Sequence, residues 1–145
     1  QVQAMGGNRN PASWWCGQTV ETVGTFGASN SIGQSHTPNA TANTFSSWTS
    51  LGSTISGDAG AVQWAMQGNM ATTVATATGY HFEFGAGSDR IGPVIAGAIG
   101  TAETASQFAT GPIFCHIPSG TQLQVRGKGS ISSAVAIDVG GYVVH

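Results

Sequence analysis

The sequence predicts an all-β domain, a sandwich or a barrel. Three observations predict it. Apolar and polar residues alternate at period two in several runs. β-branched and aromatic residues are concentrated in those runs. Turn-forming Gly, Pro, Asn and Ser interrupt them about every 8–12 residues. A chain of 145 residues fits one domain with a substantial core, and no repeat or long linker divides it.

The elements follow in order. Residues 1–17 hold Gly-Gly, Asn-Pro and then SWWC. They read as an irregular arm that plants Trp14 and Trp15 on an apolar surface. That surface is the domain's own core or a neighbouring subunit. QTVETVGTF alternates Val20, Val23 and Phe26 imperfectly with polar positions. ASNSIGQSHTPNATAN reads as a long polar loop holding His36, and TFSSWTSLG as a short strand. AGAVQWAMQGN places Val62, Trp64 and Met66 on one face and Gln63 on the other, although GDAGAVQWAMQ would also pass as a helical turn or two. ATTVATATGYHFEFGAG alternates more cleanly: Tyr80, Phe82 and Phe84 share one face, His81 and Glu83 the other. GAGSDR then reads as a hairpin loop with a local ion pair between Asp89 and Arg90, and IGPVIAGAIG as a strand. TAETASQFA, headed by Thr101 and Glu103, is the other candidate for a single helical turn. ASQFATGPIFCHI, TQLQVRG and SSAVAIDVGGYVV complete the strands, with Leu123, Val125, Val135, Ile137 and Val139 inward.

Composition narrows the function classes. Charged residues make up 7% of the chain, against about 25% in an ordinary soluble domain. Twenty-two glycines and many Ser, Thr, Asn and Gln fill the polar positions. Four Trp and six Phe exclude a disordered chain. A nearly neutral surface suits packing against copies or a larger assembly better than solitary life in solution. A merely neutral secreted β domain is the plainer alternative. The cations are Arg9, Arg90, Arg126 and Lys128, and the net charge is −2; so few cannot build a nucleic-acid footprint. No apolar run approaches the length of a membrane helix. The opening QVQAMGGNRNP has no charged or apolar segment of the signal-peptide kind.

Chemistry-bearing patterns are sparse. Cys16 and Cys115 make neither a disulfide framework nor a zinc site; they read as free thiols, with pairing open if the two segments meet. His81 and Glu83 share a strand face and would serve a metal or an acid–base pair, though an exposed polar face is the simpler reading. No G-x-S-x-G, HExxH or P-loop is present. The expectation is therefore no catalytic residue, no metal and no cofactor. Trp48 and Trp64 sit among Ser, Thr and Gln, a setting suited to sugar recognition, but core filling explains them more simply. The NAT triplet at Asn39 matters only in a eukaryotic secretory setting.

The segment FCHIPSGTQLQVRGKGS carries a resemblance. IPSG turns the chain, TQLQVRG is a strand, GKGS turns again, and ISSAVAIDVGGYVV returns as the second arm of a terminal hairpin. Ile117 to Arg126 matches a pattern of apolar residue, Pro, small residue, Gly, hydroxyl residue and alternating apolar positions ending in Arg. It resembles the C-terminal part of tailed-bacteriophage virion structural proteins of the jelly-roll or β-sandwich type. GYHFEFGAGSDRIGPVI fits the same habit, and the resemblance spans Trp48 to Val144. Cys115 and His116 depart from the family pattern, and the arm has no match. The resemblance implies a single jelly-roll-like β-sandwich over residues 18–145 behind the arm, and a virion structural role at the capsid surface. The expected function is a capsid decoration (cement) protein. It would brace the major capsid protein non-covalently and self-associate, a trimer being one such form. Trp14 and Trp15 are the expected arm anchors, and Arg126 and Lys128 the expected rim against acidic coat surface. The alternative is a receptor-binding or carbohydrate-binding module of a tail or fibre, with a host glycan as partner. An enzyme built on His81 and Glu83 stands third.

Overall fold

The computed structural model describes residues 19–24, 33–52, 54–67, 75–101 and 108–145. Trp14, Trp15 and Cys16, and with them the whole expected arm, lie outside the described residues, as does Glu103. The described chain is all strand and turn, without helix. The strands are β1 (Val20–Val23), β2 (Gln34–His36), β3 (Thr49–Ser50), β4 (Ala59–Gln67), β5 (Thr78–Ala86), β6 (Asp89–Arg90), β7 (Ile95–Ile99), β8 (Phe108–Ala109), β9 (Ile113–Ile117), β10 (Leu123–Gly129) and β11 (Ile137–Val144).

Two antiparallel sheets pack face to face. In the first, β11 is flanked by β4 on one side and by β1 and β2, end to end, on the other; β8 and β9 line the far side of β4. In the second, β10 lies between β3 and β5, and β6 and β7 line the far side of β5. Each sheet therefore has four rows. Successive rows alternate between sheets except at the β5–β6 hairpin, and the first row pairs with the last. This is a hairpin wound double, the jelly-roll path. The hairpin closes through Gly87 (φ 57) and Ser88 (φ 82), the two positive-φ positions a type I′ turn requires.

That path corrects one expectation. β10 and β11 do not form a hairpin: β10 pairs with β5 in register Arg126↔Glu83, while β11 pairs with β4 in register Tyr142↔Gln63. The chain changes sheets between them at residues 130–136. GKG belongs to the strand rather than to the turn, and Val135 is 38% exposed in the crossing segment. The stretch from Ala59 to Gln67 is a strand, not a helical turn.

The inward rows carry the predicted alternation. Val62, Trp64 and Met66 meet Tyr80, Phe82, Phe84, Leu123, Val125, Ile137, Val139 and Val143 in one core. The Trp64 and Phe84 rings stack at 4.7 Å and 11°, and the indole N–H donates to the Ile91 carbonyl at 2.9 Å. Each such side chain contributes roughly 1.5–3 kcal/mol by leaving water. Gly141 lets Trp64 lie flat: a Cβ there would overlap the Gln63 carbonyl and sit 2.9 Å from the indole ring.

His36 was expected in a polar loop. It is instead the inward residue of β2 and is buried. Nδ1 lies 2.9 Å from the Thr49 hydroxyl and Nε2 3.1 Å from the Ser46 hydroxyl, with the ring edge-on to Phe82. Both hydroxyls belong to the segment along the outer edge of β10, so His36 ties the two sheets together. Burial holds its pKa down at about 4.

Candidate functional site

The outer face of the β3–β10–β5–β6/β7 sheet collects the chemistry. Alternation along β10 turns Leu123 and Val125 inward and Gln124, Arg126 and Lys128 outward. Register then sets Arg126 beside Glu83 and Lys128 beside His81. The Arg126 Nε and Nη2 both donate to Glu83 Oε2, at 2.7 and 2.6 Å. Arg90 Nη1 reaches Oε1 of the same carboxylate at 3.4 Å. Arg90 thus pairs with Glu83, not with Asp89 as expected from the loop sequence. Glu83 is covered rather than exposed, its side chain 9% accessible.

The cover comes from the segment that follows β2. Ser46 N–H donates to the Gly127 carbonyl at 2.9 Å, and Gly127 N–H donates back to the Ser46 hydroxyl at 3.1 Å. This lays Phe45 and Trp48 over the outward row of β10. The Arg126 guanidinium carbon stands 4.9 Å from the Phe45 ring centre and 4.8 Å from that of Trp48. Lys128 Nζ lies 5.0 Å from the Phe45 centre. Cation–π contacts of this kind add about 0.5–2 kcal/mol each. Trp48 extends over Gly85, where a Cβ would approach its ring to 3.1 Å. Trp64 is core; Trp48 is half-buried on this face. Beside Lys128, a hollow of about 60 Å³ is lined by Asn43, Gly79, His81, Lys128, Gly129 and Ser130.

Arg126→Ala is expected to cost about 2 kcal/mol. The loss is less than the roughly 3–5 kcal/mol of a fully buried pair, because the guanidinium is 35% exposed and water screens it. Arg126→Lys keeps the charge but loses the fork, and should recover about half. Urea midpoints of both variants measure this; an unchanged midpoint in Arg126→Ala would contradict a structural role for the pair.

A second cluster closes one end of the sandwich. Glu21 Oε2 accepts from the Ser56 N–H and hydroxyl at 2.9 and 2.7 Å, and His145 Nε2 lies 2.9 Å away. Burial pushes the Glu21 carboxyl up, but these hydrogen bonds outweigh it and hold the group below its ordinary value. His145 Nδ1 also reaches the Asp58 carbonyl at 3.2 Å. Asp58 Oδ1 accepts from Ser119 N–H at 2.8 Å. The serine and histidine both point at the carboxylate and not at each other. That geometry lacks the nucleophile–base contact of a triad and instead fastens β1, β11 and the turn before β4. His81 and Glu83 are neighbours on the sheet, with Glu83 committed to the two arginines. Among the described residues no three His, Cys, Asp or Glu side chains converge on a metal position. Cys115 is a half-buried free thiol whose pKa burial raises.

The outer face of the other sheet is of opposite character. Register aligns Val20, Val144, Ala61 and Phe114 across it, and Thr22, Tyr142 and Gln63 in the next row. Val20 is 57% and Phe114 62% exposed. Among the described residues, Asp138 is the one acidic or basic side chain that alternation turns to this face from β11, and it is buried.

Of the expected site residues, Arg126 and Lys128 fall on one strand and one face, in mid-sheet rather than on a hairpin rim. Trp14 and Trp15 lie outside the described residues. Sequence reasoning missed Phe45, Trp48 and Glu83 as companions of Arg126. No family model, curated protein or solved structure matches the chain.

Proposed function

We propose that the chain is a virion structural protein, a capsid decoration protein that braces coat subunits without covalent chemistry. One observation carries the reading: a partly apolar sheet face with Val20, Phe114 and Tyr142 exposed, whose ionisable groups on β9 and β11 are the exposed His116 and the buried Asp138, on a domain where charge is scarce throughout. Exposed apolar rows on a monomer commonly mark contact surface. A shell component repeats such a contact around a symmetric particle. The jelly-roll path and the Ile117–Arg126 pattern support the same reading. The coat subunit is the partner we propose for this face.

Immunogold labelling of purified particles with an antibody to this chain is expected to decorate the head. Label confined to a tail tip would overturn the decoration reading. Phe114→Asp places a charge on the β9 row of the face, beside Ala61 of β4. It is expected to lower occupancy on particles about tenfold, the effect of about 1.4 kcal/mol, while the melting temperature of the isolated chain stays within a few degrees. A second reading, a tail or fibre module that binds a host glycan, is favoured by Trp48 and the basic residues on the opposite face.

A further inference from the structure

We propose that the outer face of the β3–β10–β5–β6/β7 sheet binds an acidic saccharide. Its anionic group would sit in the hollow at Lys128, His81 and Ser130, with the adjoining sugar ring against Phe45 and Trp48. The inference deepens the second reading above and is independent of the first, since the two faces lie on opposite sides of the sandwich.

Charge distribution is the first observation. The sequence holds four Lys and Arg, and the three that are described, Arg90, Arg126 and Lys128, all project from this one face. Glu83 is the only carboxylate within ion-pair reach of them among the described residues. Three cations against one carboxylate leave two positive charges in excess. The remaining described acids lie elsewhere. Glu21 and Asp58 sit at the closed end, Asp138 is on the other sheet, and Asp89 alternates away from Arg90 at the hairpin. In a chain with a net charge of −2, such segregation leaves a positive face on a negative molecule.

The second observation is division of labour among the cations. Arg126 and Arg90 neutralise Glu83. Lys128 has no carboxylate within 4.0 Å among the described residues, and its ammonium stands over Phe45 at the mouth of the hollow. One water needs roughly 10–15 Å³ of such space, so a hollow of about 60 Å³ admits a group of several heavy atoms. A carboxylate or sulfate ester has that size. The floor is fixed: Asn43 N–H donates to the Gly129 carbonyl and Ser130 N–H to the Gly79 carbonyl, both at 2.8 Å. Gly79 N–H donates to the Ser130 hydroxyl at 2.8 Å, leaving that hydroxyl's own hydrogen for a ligand.

The third observation selects a sugar over a bare anion. Phe45 and Trp48 lie along the same row, one step from the hollow, and are half-buried. Lys128 and Arg126 are about 7 Å apart along β10 by strand geometry, a span that linked pyranose rings bridge. Neutral hydrogen-bonding groups, Asn43, Ser130 and Gln124, border the row. Flat apolar rings beside hydroxyl and amide groups match the apolar and polar faces of a saccharide. Two excess charges are too few for affinity to rest on a phosphate backbone.

The test titrates the full chain, followed by tryptophan fluorescence and calorimetry. The probes are oligogalacturonate, a sulfated oligosaccharide and a neutral glucan of equal length. Saturable binding of either acidic probe is expected, at least about tenfold tighter than the neutral one. The stronger of the two acidic probes tells carboxylate from sulfate. Lys128→Gln is expected to weaken the acidic probe about tenfold while the melting temperature falls by only a few degrees, from loss of the Lys128–Phe45 contact, and Trp48→Ala to remove the fluorescence change. Raising salt from about 20 to about 200 mM should weaken binding. Absence of saturable binding by both acidic probes overturns the proposal. So does equal binding of the neutral glucan, unaltered affinity in Lys128→Gln, or tighter binding of a single-stranded oligonucleotide than of any sugar. Phe114→Asp should leave sugar binding intact, and Lys128→Gln should leave particle occupancy intact, so failure here and failure of the decoration reading are separable.

Discussion

Trp64→Ala is expected to lower the unfolding free energy by about 4 kcal/mol, within the roughly 3–5 kcal/mol range for emptying a buried aromatic site. Three losses combine. The fully buried indole leaves a cavity between the sheets, since Trp64 is the largest side chain with no exposed surface among the described residues. Phe84 loses its stacked partner at 4.7 Å. The Ile91 carbonyl loses the indole N–H, and an acceptor buried without its donor costs about 1–3 kcal/mol in its own right. Neighbours cannot collapse easily into the space, because Gly141 and the β4 backbone already touch. A domain of this size holds only about 5–15 kcal/mol in total, so Trp64→Ala removes about a quarter or more of it. Trp64→Phe keeps the stack and most of the volume. It should cost about 1–2 kcal/mol, and gives a second measurement if Trp64→Ala does not fold. Urea unfolding at constant pH reads both. A cost below about 1 kcal/mol in Trp64→Ala would mean that the ring is not the keystone its packing implies.

Most of the inner face was legible from alternation. Val62, Trp64 and Met66, then Tyr80, Phe82 and Phe84, then Leu123 and Val125 announce their shared side by period two alone, and all are buried. Alternation says which face a residue takes and nothing about which strand lies beside it. The expected β10–β11 hairpin failed for that reason. In a double-wound hairpin the partners of β10 are β3 and β5, about forty or more residues away in sequence, and only the jelly-roll path brings them together. The Ile117–Arg126 pattern was legible as a turn plus a strand, and Gly120 does take positive φ there (φ 78). Its terminal arginine has a further use: it neutralises Glu83 across the sheet.

The outer face was harder to read. Glu83 looks like an ordinary outward carboxylate in HFEF. It is covered because Phe45 and Trp48 arrive from a segment whose sequence, TFSSW, has only two residues of paired strand after it. Their path is set by backbone bonds between Ser46 and Gly127, which leave no periodic trace. The partly apolar face of the other sheet is likewise assembled from β1, β4, β9 and β11, and no single segment displays it. His36 was misplaced because β2, QSH, is three polar residues long and too short to show a period.

That same histidine should make the fold acid-labile. Its pKa is about 4 in the folded chain against an ordinary 6.5, because burial strips the ring of the water that would stabilise its charge. Below pH 6.5 the unfolded chain takes up a proton that the folded chain refuses. The contribution of His36 is therefore complete above about pH 6.5 and is lost as pH falls through about 4, where both states are protonated. The shift corresponds to about 3 kcal/mol. Glu21, with a lowered pKa, acts in the same direction in the carboxylate range. The expected result is a urea midpoint that falls steadily from pH 7 to pH 4 and a much flatter profile for His36→Gln, which has no proton to gain. Thr49 Oγ1 donates to the Val125 carbonyl and so accepts from Nδ1, which leaves Nε2 to accept from Ser46. Protonating Nε2 forces the Ser46 hydroxyl to turn its hydrogen away and so should loosen the segment that holds Phe45 and Trp48 over Arg126. Amide exchange at Gly127, bonded to the Ser46 hydroxyl, should then accelerate, relative to core amides of β4, before global unfolding. A pH-independent midpoint over this range, or equal slopes in the two proteins, would show that His36 is not the group that couples the sheets to acid.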